Sequence, residues 1–212
     1  MIKIKNFAFN ELGVNCFVLY DETSECVIID PGCNTVRQEE QLTGFIENNH
    51  LKPVAILLTH GHFDHIFGIT AIKAAYSCDL VMHKSDETLV ENASQYAGIF
   101  GFTVGKTPKA DRFIDEHDTV HFGNSSLQII HVPGHSPGSI CFYSGTDHFA
   151  ICGDVLFNGS VGRTDLPGGN HEFLIKGIRD KLMILPRETI VWPGHGPHTT
   201  IGREHDTNPF LN

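Results

Sequence analysis

The chain carries at positions 56–65 the stretch Ile56-Leu57-Leu58-Thr59-His60-Gly61-His62-Phe63-Asp64-His65. An apolar run of strand length leads directly into four side chains of the types that bind transition metals. On a helix, His60 and Asp64 would share a face while His62 pointed away, so one helix cannot gather all four. Extended backbone at 60–62, followed by a helical start near Asp64, presents them to two neighbouring positions. The spacing therefore favours two adjacent metal ions over one.

Four further segments share this design, in which an apolar strand runs into a turn and a His or Asp stands at the strand's carboxyl end. They are residues 129–135, 150–154, 190–195 and 27–30, which end in His135, Asp154, His195 and Asp30. Strand ends collect functional groups because the sheet fixes the roots of the loops. We therefore predict seven metal ligands. One metal ion is assigned to His60, His62 and His135, a second to Asp64, His65 and His195, and Asp154 bridges the two.

Asp30 allows two interpretations. It either braces the metal-binding loop through hydrogen bonds or serves only as the first residue of an Asp-Pro-Gly turn.

Length and composition limit the possible functions. With 212 residues, 41% of them hydrophobic and 19% charged, the chain is expected to form a single globular domain over 1–212. A formal net charge of −10 argues against a nucleic-acid partner. The sequence has no secretory signal and no apolar stretch of about 18 residues, so no membrane partner is expected. Six scattered cysteines without a C-x-x-C pair are expected to be core residues of a cytoplasmic protein.

Hydrophobic periodicity predicts sheets in the centre with helices outside. Residues 17–20 and 26–29 are expected to form a hairpin, and further strands are predicted at 54–58, 80–82, 119–122, 127–132, 139–143, 149–152 and 189–192. Helices are predicted over 36–48, 66–76, 86–96 and 172–181. The glycines and aromatic residues of 98–109 indicate a loop close to a site.

Several motifs resemble the signature of the metallo-β-lactamase superfamily, and the resemblance covers nearly the whole chain. They are Thr59-His60-Gly-His62-Phe-Asp64-His65, Pro133-Gly-His135-Ser-Pro-Gly138, Gly153-Asp154 and Pro193-Gly-His195-Gly196. The resemblance implies an α/β fold of the αββα sandwich type, in which two mixed β-sheets pack face to face with helices on the outside. It also implies a dinuclear site along one edge, and it carries the metal roles onto the seven residues assigned above.

Within the superfamily, residues 153–165 are most similar to the hydroxyacylglutathione hydrolases, or glyoxalase II, and their relatives. The likeness is to forms without the helical C-terminal extension that helps to hold glutathione. Where glyoxalase II typically has Lys and Tyr as glutathione contacts, this chain has Arg163 and Asp165.

The resemblance implies a metal-dependent hydrolase acting on a small-molecule thioester such as S-lactoylglutathione, or on a related thioester or ester. A metal ion lowers the pKa of bound water from about 16 to about 7, so a hydroxide bridging the two ions is the expected nucleophile. Asp64 and Asp154 are expected to orient it and accept its proton. Arg163 is expected either to bind a substrate carboxylate or to pair with Asp165. Zinc is the expected metal, with iron or manganese as alternatives.

Three other functions stay open at this point. A mononuclear iron persulfide dioxygenase would use His60, His135 and Asp154 as iron ligands. A metal-binding module without catalysis would have no open coordination position. A nuclease would retain single-stranded RNA at physiological salt, against the acidic balance of the chain.

Overall fold

Two six-stranded β-sheets form the centre of the computed structural model, which describes residues 1–211. The first sheet has the order β1-β2-β3-β4-β5-β6. Its strands are β1 Lys3–Phe9, β2 Val14–Tyr20, β3 Glu25–Ile29, β4 Lys52–Leu57, β5 Asp79–Met82 and β6 Arg112–Phe113. Strands β1 to β3 pair antiparallel, as the predicted hairpin requires, and β3 to β6 pair parallel.

The later strands belong to the second sheet and to a short ribbon. They are β7 Thr119–Phe122, β8 Ser125–His131, β9 Ile140–Ser144, β10 Phe149–Gly153, β11 Leu156–Phe157, β12 Ser160–Val161, β13 Ile190–Pro193 and β14 Thr199–Thr200. Strands β11 and β12 pair only with each other, and the second sheet has the order β14-β13-β10-β9-β8-β7. Only β10 and β13 pair parallel within it. Both sheets are therefore mixed.

Helices cover the outer faces of both sheets. They are α1 Val36–Asn48, α2 Ile69–Tyr76, α3 Glu87–Glu91, α4 Ala93–Ile99, α5 His171–Gly177 and α6 Ile201–Thr207, with 3-10 turns at Phe63–His65 and Lys84–Asp86 and a π-helical turn at Ile178–Leu182. Helix α1 has the predicted bounds. The single helix predicted over 86–96 is wrong: Asn92 leaves the helical conformation, and its side-chain amide donates to the carbonyl of Thr88 instead.

The core consists of three apolar layers, and β2 shows how one strand serves two of them. Phe17 and Leu19 point into the layer between the sheets, whereas Cys16 and Val18 point to the layer under the helices of the first sheet. This alternation follows from the two-residue period of a strand. A third layer joins the second sheet to α5 and α6. The predicted αββα sandwich is confirmed.

Two further findings concern burial. All six cysteines are buried free thiols, as predicted. Among the helices of residues 1–211, none has the length and apolar character needed to cross a membrane.

Strand direction decides where a site can form. In the first sheet β3, β4 and β5 run parallel to one another. In the second sheet β8 and β10 are both antiparallel to β9, and β10 is parallel to β13, so these three strands also share one direction. Each set of loops after these strands therefore leaves its sheet at one edge, the place where open sheets commonly bind ligands.

Candidate metal centre

The loops at this edge bring together all seven residues that the sequence predicts as ligands. The nitrogen atoms of His60, His62 and His135 lie within 4.8 Å of one another. The ligand atoms of a second group, Asp64, His65 and His195, meet the same limit. These are the two groupings expected from the spacing in the sequence. The chain thus has His and Asp groups able to bind metal ions.

The Asp154 carboxylate lies between the two groups. Its Oδ2 is 3.5 Å from His135 Nε2 in the first group and 3.5 Å from His195 Nε2 in the second. Its Oδ1 is 3.5 Å from His65 Nε2. A carboxylate in this position has an oxygen available to each group, which is the geometry that a bridging ligand requires.

A buried relay of hydrogen bonds starts at Asp30 and fixes two of the imidazoles. The backbone amide of Thr59 donates to Asp30 Oδ1 at 2.8 Å, and the Thr59 hydroxyl donates to Asp30 Oδ2 at 2.5 Å. Since the proton of that hydroxyl points to Asp30, its oxygen accepts a hydrogen bond from His60 Nδ1 at 3.0 Å. His65 Nδ1 donates to Asp30 Oδ2, also at 3.0 Å. Asp30 therefore braces the site, and in both rings Nε2 is left free to bind.

Backbone carbonyls fix two further imidazoles in the same way. His135 Nδ1 donates to the carbonyl oxygen of Arg163 at 2.8 Å, and His195 Nδ1 donates to that of Leu12 at 2.9 Å. A carbonyl oxygen only accepts, so the proton must sit on Nδ1 and the lone pair on Nε2. Four histidines, His60, His65, His135 and His195, thus turn Nε2 towards one centre.

The orphaned atoms of the site fit a divalent cation. His65 Nε2 and Asp154 Oδ1 are buried and have no hydrogen-bond partner, although such atoms are costly to leave unpaired. In addition, His60 Nε2 and His135 Nε2 face each other at 3.2 Å with no proton between them. Nitrogen and oxygen donors of this kind suit zinc or another transition metal.

Electrostatics shows that the centre favours added positive charge near its carboxylates. Burial lowers the pKa of His60 well below its usual value and that of His62 to about 3, so both rings are neutral. Burial also opposes a charge on His65, but Asp64 and Asp154 outweigh it and raise the pKa of His65 well above its usual value. Burial likewise opposes ionisation of Asp154, but His65 outweighs it, and the pKa of Asp154 is well below its usual value.

Glycine is required at position 194 by the close approach of its backbone to the centre. A Cβ atom at Gly194 would lie 2.1 Å from Asp154 Oδ1 and 2.8 Å from His65 Cε1. The Asn15 side chain holds the same loop, because its amide donates to the carbonyls of Pro193 and Gly196, at 2.9 Å in each case. Gly194 and Asn15 together place His195 beside Asp64, with His195 Nε2 3.4 Å from Asp64 Oδ2.

Sequence reasoning missed Asp86, a fully buried carboxylate beside the centre. It accepts hydrogen bonds from the backbone amides of Gly61 and Gly138, at 2.8 and 2.6 Å, and from the Ser136 hydroxyl at 2.7 Å. It therefore joins the loop of His60 and His62 to the loop of His135. The strand-end rule does not find it, since Asp86 lies four residues after the end of β5, whereas Asp154 directly follows β10.

The Arg163 guanidinium lies at the rim and is paired with its neighbour. Its Nε and Nη2 donate to the two carboxylate oxygens of Asp165 at 2.7 and 2.8 Å. Of the two interpretations given above, the structure shows this ion pair. A role for the Arg163 side chain in binding substrate stays a prediction, whereas its carbonyl orients His135.

Comparisons with known proteins concern the chain as a whole. The family model described as metallo-beta-lactamase superfamily matches residues 9–195. The chain is 36% identical to the probable metallo-hydrolase YqgX of Bacillus subtilis, over 100% of this chain and 98% of that protein. It is 37% identical to the hydroxyacylglutathione hydrolase GloC of Haemophilus influenzae, over 93% and 92% of the two chains.

Solved structures give the same result for the fold. The BLEG-1 B3 metallo-beta-lactamase matches with a TM-score of 0.92 and 37% identity, over 99% of this chain and 100% of that one. TTHA1623 in a di-iron-bound form matches at 0.89 and 38%, over 98% and 100%. ETHE1 from Myxococcus xanthus matches at 0.80 and 25%, over 98% and 83%.

Proposed function

Because the chain belongs to the metallo-β-lactamase superfamily, we propose that it is a metal-dependent hydrolase that cleaves an acyl thioester such as S-lactoylglutathione at a centre of two metal ions. The observation that carries the proposal is the pair of ligand groups on either side of Asp154. The similarity to a hydroxyacylglutathione hydrolase supports the thioester.

The proposal gives each predicted residue a task. His60, His62 and His135 would hold one ion, Asp64, His65 and His195 the other, and Asp154 would contact both. When bound, the ions supply Lewis acidity and lower the pKa of water to about 7. Burial opposes ionisation of Asp64 and Asp154, but positive charge at His65 outweighs it and lowers the pKa of both; when His65 is a neutral ligand, the bound cations would supply that charge instead. Asp64 and Asp154 can therefore orient the attacking water and accept its proton, so no serine or cysteine nucleophile is needed.

Metal identity is part of the proposal. Nitrogen-rich coordination with one or two carboxylates suits zinc, which is the predicted metal. The same donors suit iron, and a relative of 38% identity has been solved in a di-iron-bound form.

The second candidate is a mononuclear iron persulfide dioxygenase with His60, His135 and Asp154 as ligands. The observation in its favour is the proximity of these donors, since His135 Nε2 lies 3.2 Å from His60 Nε2 and 3.5 Å from Asp154 Oδ2. The complete second group of Asp64, His65 and His195 favours the hydrolase.

Metal analysis beside a hydrolysis assay tests the proposal. Native protein is expected to contain two metal ions per chain and to hydrolyse S-lactoylglutathione. The variant Asp64→Ala is expected to lose one ion and to lower kcat/KM by more than about 100-fold, beyond the range for residues that only orient ligands. The matched control Asp79→Ala removes an exposed carboxylate at the amino end of β5 and should keep both properties. One iron per chain, with oxygen uptake on a persulfide and no thioester cleavage, would overturn the proposal.

A further inference from the structure

Two cavities meet at the metal centre, and Asp154, Arg163 and His195 line both. One is an open cleft of about 560 Å³ that continues past Asn158 and Gly196. The other, which we call the apolar chamber, has a volume of about 280 Å³. Its walls include the apolar side chains of Leu12, Phe63, Leu89, Phe100 and Leu166 and the ring of Tyr96, which also carries a hydroxyl. A substrate whose scissile bond lies beside Asp154 can therefore place one of its halves in each cavity.

The apolar chamber is built onto the metal-binding loop itself. Phe63 lies between His62 and Asp64 in the 3-10 turn, and its ring stacks on that of Phe100 with centroids 5.6 Å apart and an interplanar angle of 25°. The ring of Phe102 also contacts that of Phe63, with centroids 5.6 Å apart. These contacts fix the segment after α4 against the loop. The wall therefore holds a bound group at a set distance from the metal centre.

The charged side chains that line the apolar chamber lie at the proposed metal site and at Arg163. Among the residues of 1–211 that line the chamber, the ionisable side chains are those of the proposed metal site, the Tyr96 phenol and Arg163, whose guanidinium is already paired with Asp165. A charged or peptide-like group has several polar atoms, and the Tyr96 hydroxyl cannot replace the water that all of them would lose there. The open cleft, with water access and Asn158, has no such restriction. A polar thiol such as glutathione therefore belongs in the open cleft.

Volume indicates what fills the chamber. An apolar protein cavity of about 150 Å³ can hold benzene, and the chamber of about 280 Å³ exceeds that by about 130 Å³, so it can take an aromatic ring or a branched chain beside the proposed ions. A lactoyl group, with one methyl and one hydroxyl beyond its carbonyl, would leave most of this space unfilled. Each additional buried methylene is worth about a fourfold gain in affinity.

Resting on the proposed thioesterase function, we infer that the apolar chamber binds the acyl half of the substrate, and that this half is an aromatic or branched apolar group larger than lactoyl. The thiol half then leaves through the open cleft. In the reaction, water adds to the acyl carbonyl, the carbon–sulfur bond breaks, and the products are a carboxylic acid and a thiol that receives the remaining proton.

Steady-state kinetics on two thioesters that differ only in this group tests the inference. S-mandeloylglutathione and S-lactoylglutathione share the thiol and the 2-hydroxyacyl carbon, but a phenyl ring replaces the methyl. The holoenzyme is expected to hydrolyse the mandeloyl thioester with a kcat/KM at least about tenfold higher, because the ring is buried in the chamber. Equal values, or a preference for lactoyl, would overturn the inference and leave the proposed function standing. Cleavage of neither thioester would overturn both.

Variants of the wall separate this specificity from a general effect on folding. Phe100→Ala and Leu166→Ala remove wall groups from two different segments, and each should bring the ratio of the two kcat/KM values towards one. Phe210→Ala is the matched control, since Phe210 lies outside the chamber and is exposed to 47%, the same fraction as Phe100. It should keep the ratio of the native enzyme. A ratio unchanged in both wall variants would place the acyl group elsewhere.

Discussion

Two buried carboxylates, Asp86 and Asp21, join the two sheets at opposite ends of the sandwich. Asp86 follows β5 at the metal end and binds the loop after β8. Asp21 follows β2 at the other end, where it accepts from the amide of Asn124 and the hydroxyl of Ser125 at 2.7 and 2.8 Å. Each also accepts hydrogen bonds from a loop of the first sheet, Asp21 from Thr23 and Asp86 from Gly61. The two residues make the same kind of connection in different surroundings.

Their pKa values differ in direction. Burial raises the pKa of Asp86 although three groups donate to it. Burial also opposes ionisation of Asp21, but the donors from Thr23, Ser125 and Asn124 outweigh it and lower its pKa to about 2. The charge on Asp21 thus stabilises the fold, whereas the charge on Asp86 is unfavourable where it lies. Asp86 instead links the two loops that carry the proposed ligands His60 and His135.

The largest effect is expected from Asp86→Ala. Removing the carboxylate leaves the buried amides of Gly61 and Gly138 without acceptors, which costs about 1–3 kcal/mol of unfolding free energy. The loops of His60 and His135 would also lose their link, so metal affinity should fall about 10- to 100-fold, as for other residues that orient ligands. Competition with a chelator measures the affinity, and chemical denaturation measures the stability.

Asp21→Ala is the matched control for that experiment. It removes a buried carboxylate of similar connectivity and should lower stability by a similar amount, while metal affinity stays within about twofold of the native value. Equal losses of metal affinity in both variants would show that general destabilisation, rather than the position of Asp86, accounts for the effect.

The comparison also shows which parts of the site a sequence can reveal. His60, His62, Asp64 and His65 lie within six residues, so their pattern is local and visible. The donors to Asp86 lie 25, 50 and 52 positions away in sequence, and no local pattern marks them. The acceptors of His135 and His195 are backbone carbonyls, which every residue has. A sequence therefore reveals the proposed ligands more readily than it reveals the groups that orient them.

The fold divides in a similar way. Strands buried on both faces, such as β2 and β3, carry continuous apolar runs and were predictable. The edge strand β1 was not predicted, because it carries Lys3 and Lys5 on its exposed side, a common feature of edges. It is recognised only by its pairing with β2 along its whole length.

Acid should remove the contribution of Asp21 to the stability of the fold. Because the pKa of Asp21 is lowered to about 2 in the fold from about 3.9 in an unfolded chain, its contribution is complete above about pH 5 and is lost as the pH falls towards about 2. At pH 7, Asp21→Asn should therefore be about 2 kcal/mol less stable than the native chain. This difference should shrink steadily in denaturation series from pH 5 downwards. The native chain and Asp21→Asn have the same metal site, so any loss of metal in acid affects both and cancels in the comparison. A stability difference that does not change with pH would contradict the assignment to Asp21.

The smallest effect, and the sharpest form of the comparison, concerns one hydroxyl at each end. Ser136 donates to Asp86 at 2.7 Å, and Ser125 donates to Asp21 at 2.8 Å. Ser136→Ala and Ser125→Ala should each cost about 1.5 kcal/mol in unfolding free energy, the low end for a hydrogen bond to a charged group; Ser136→Ala also removes the hydrogen bond between the hydroxyls of Ser136 and Ser139 at 2.8 Å. Only Ser136→Ala should also weaken metal binding, by about tenfold, the low end of the range for residues that orient a ligand, because Ser136 directly follows His135. Isothermal titration of zinc into the two metal-depleted variants measures this difference, and equal zinc affinities would show that Asp86 acts on the loop of His135 through the Gly138 amide alone.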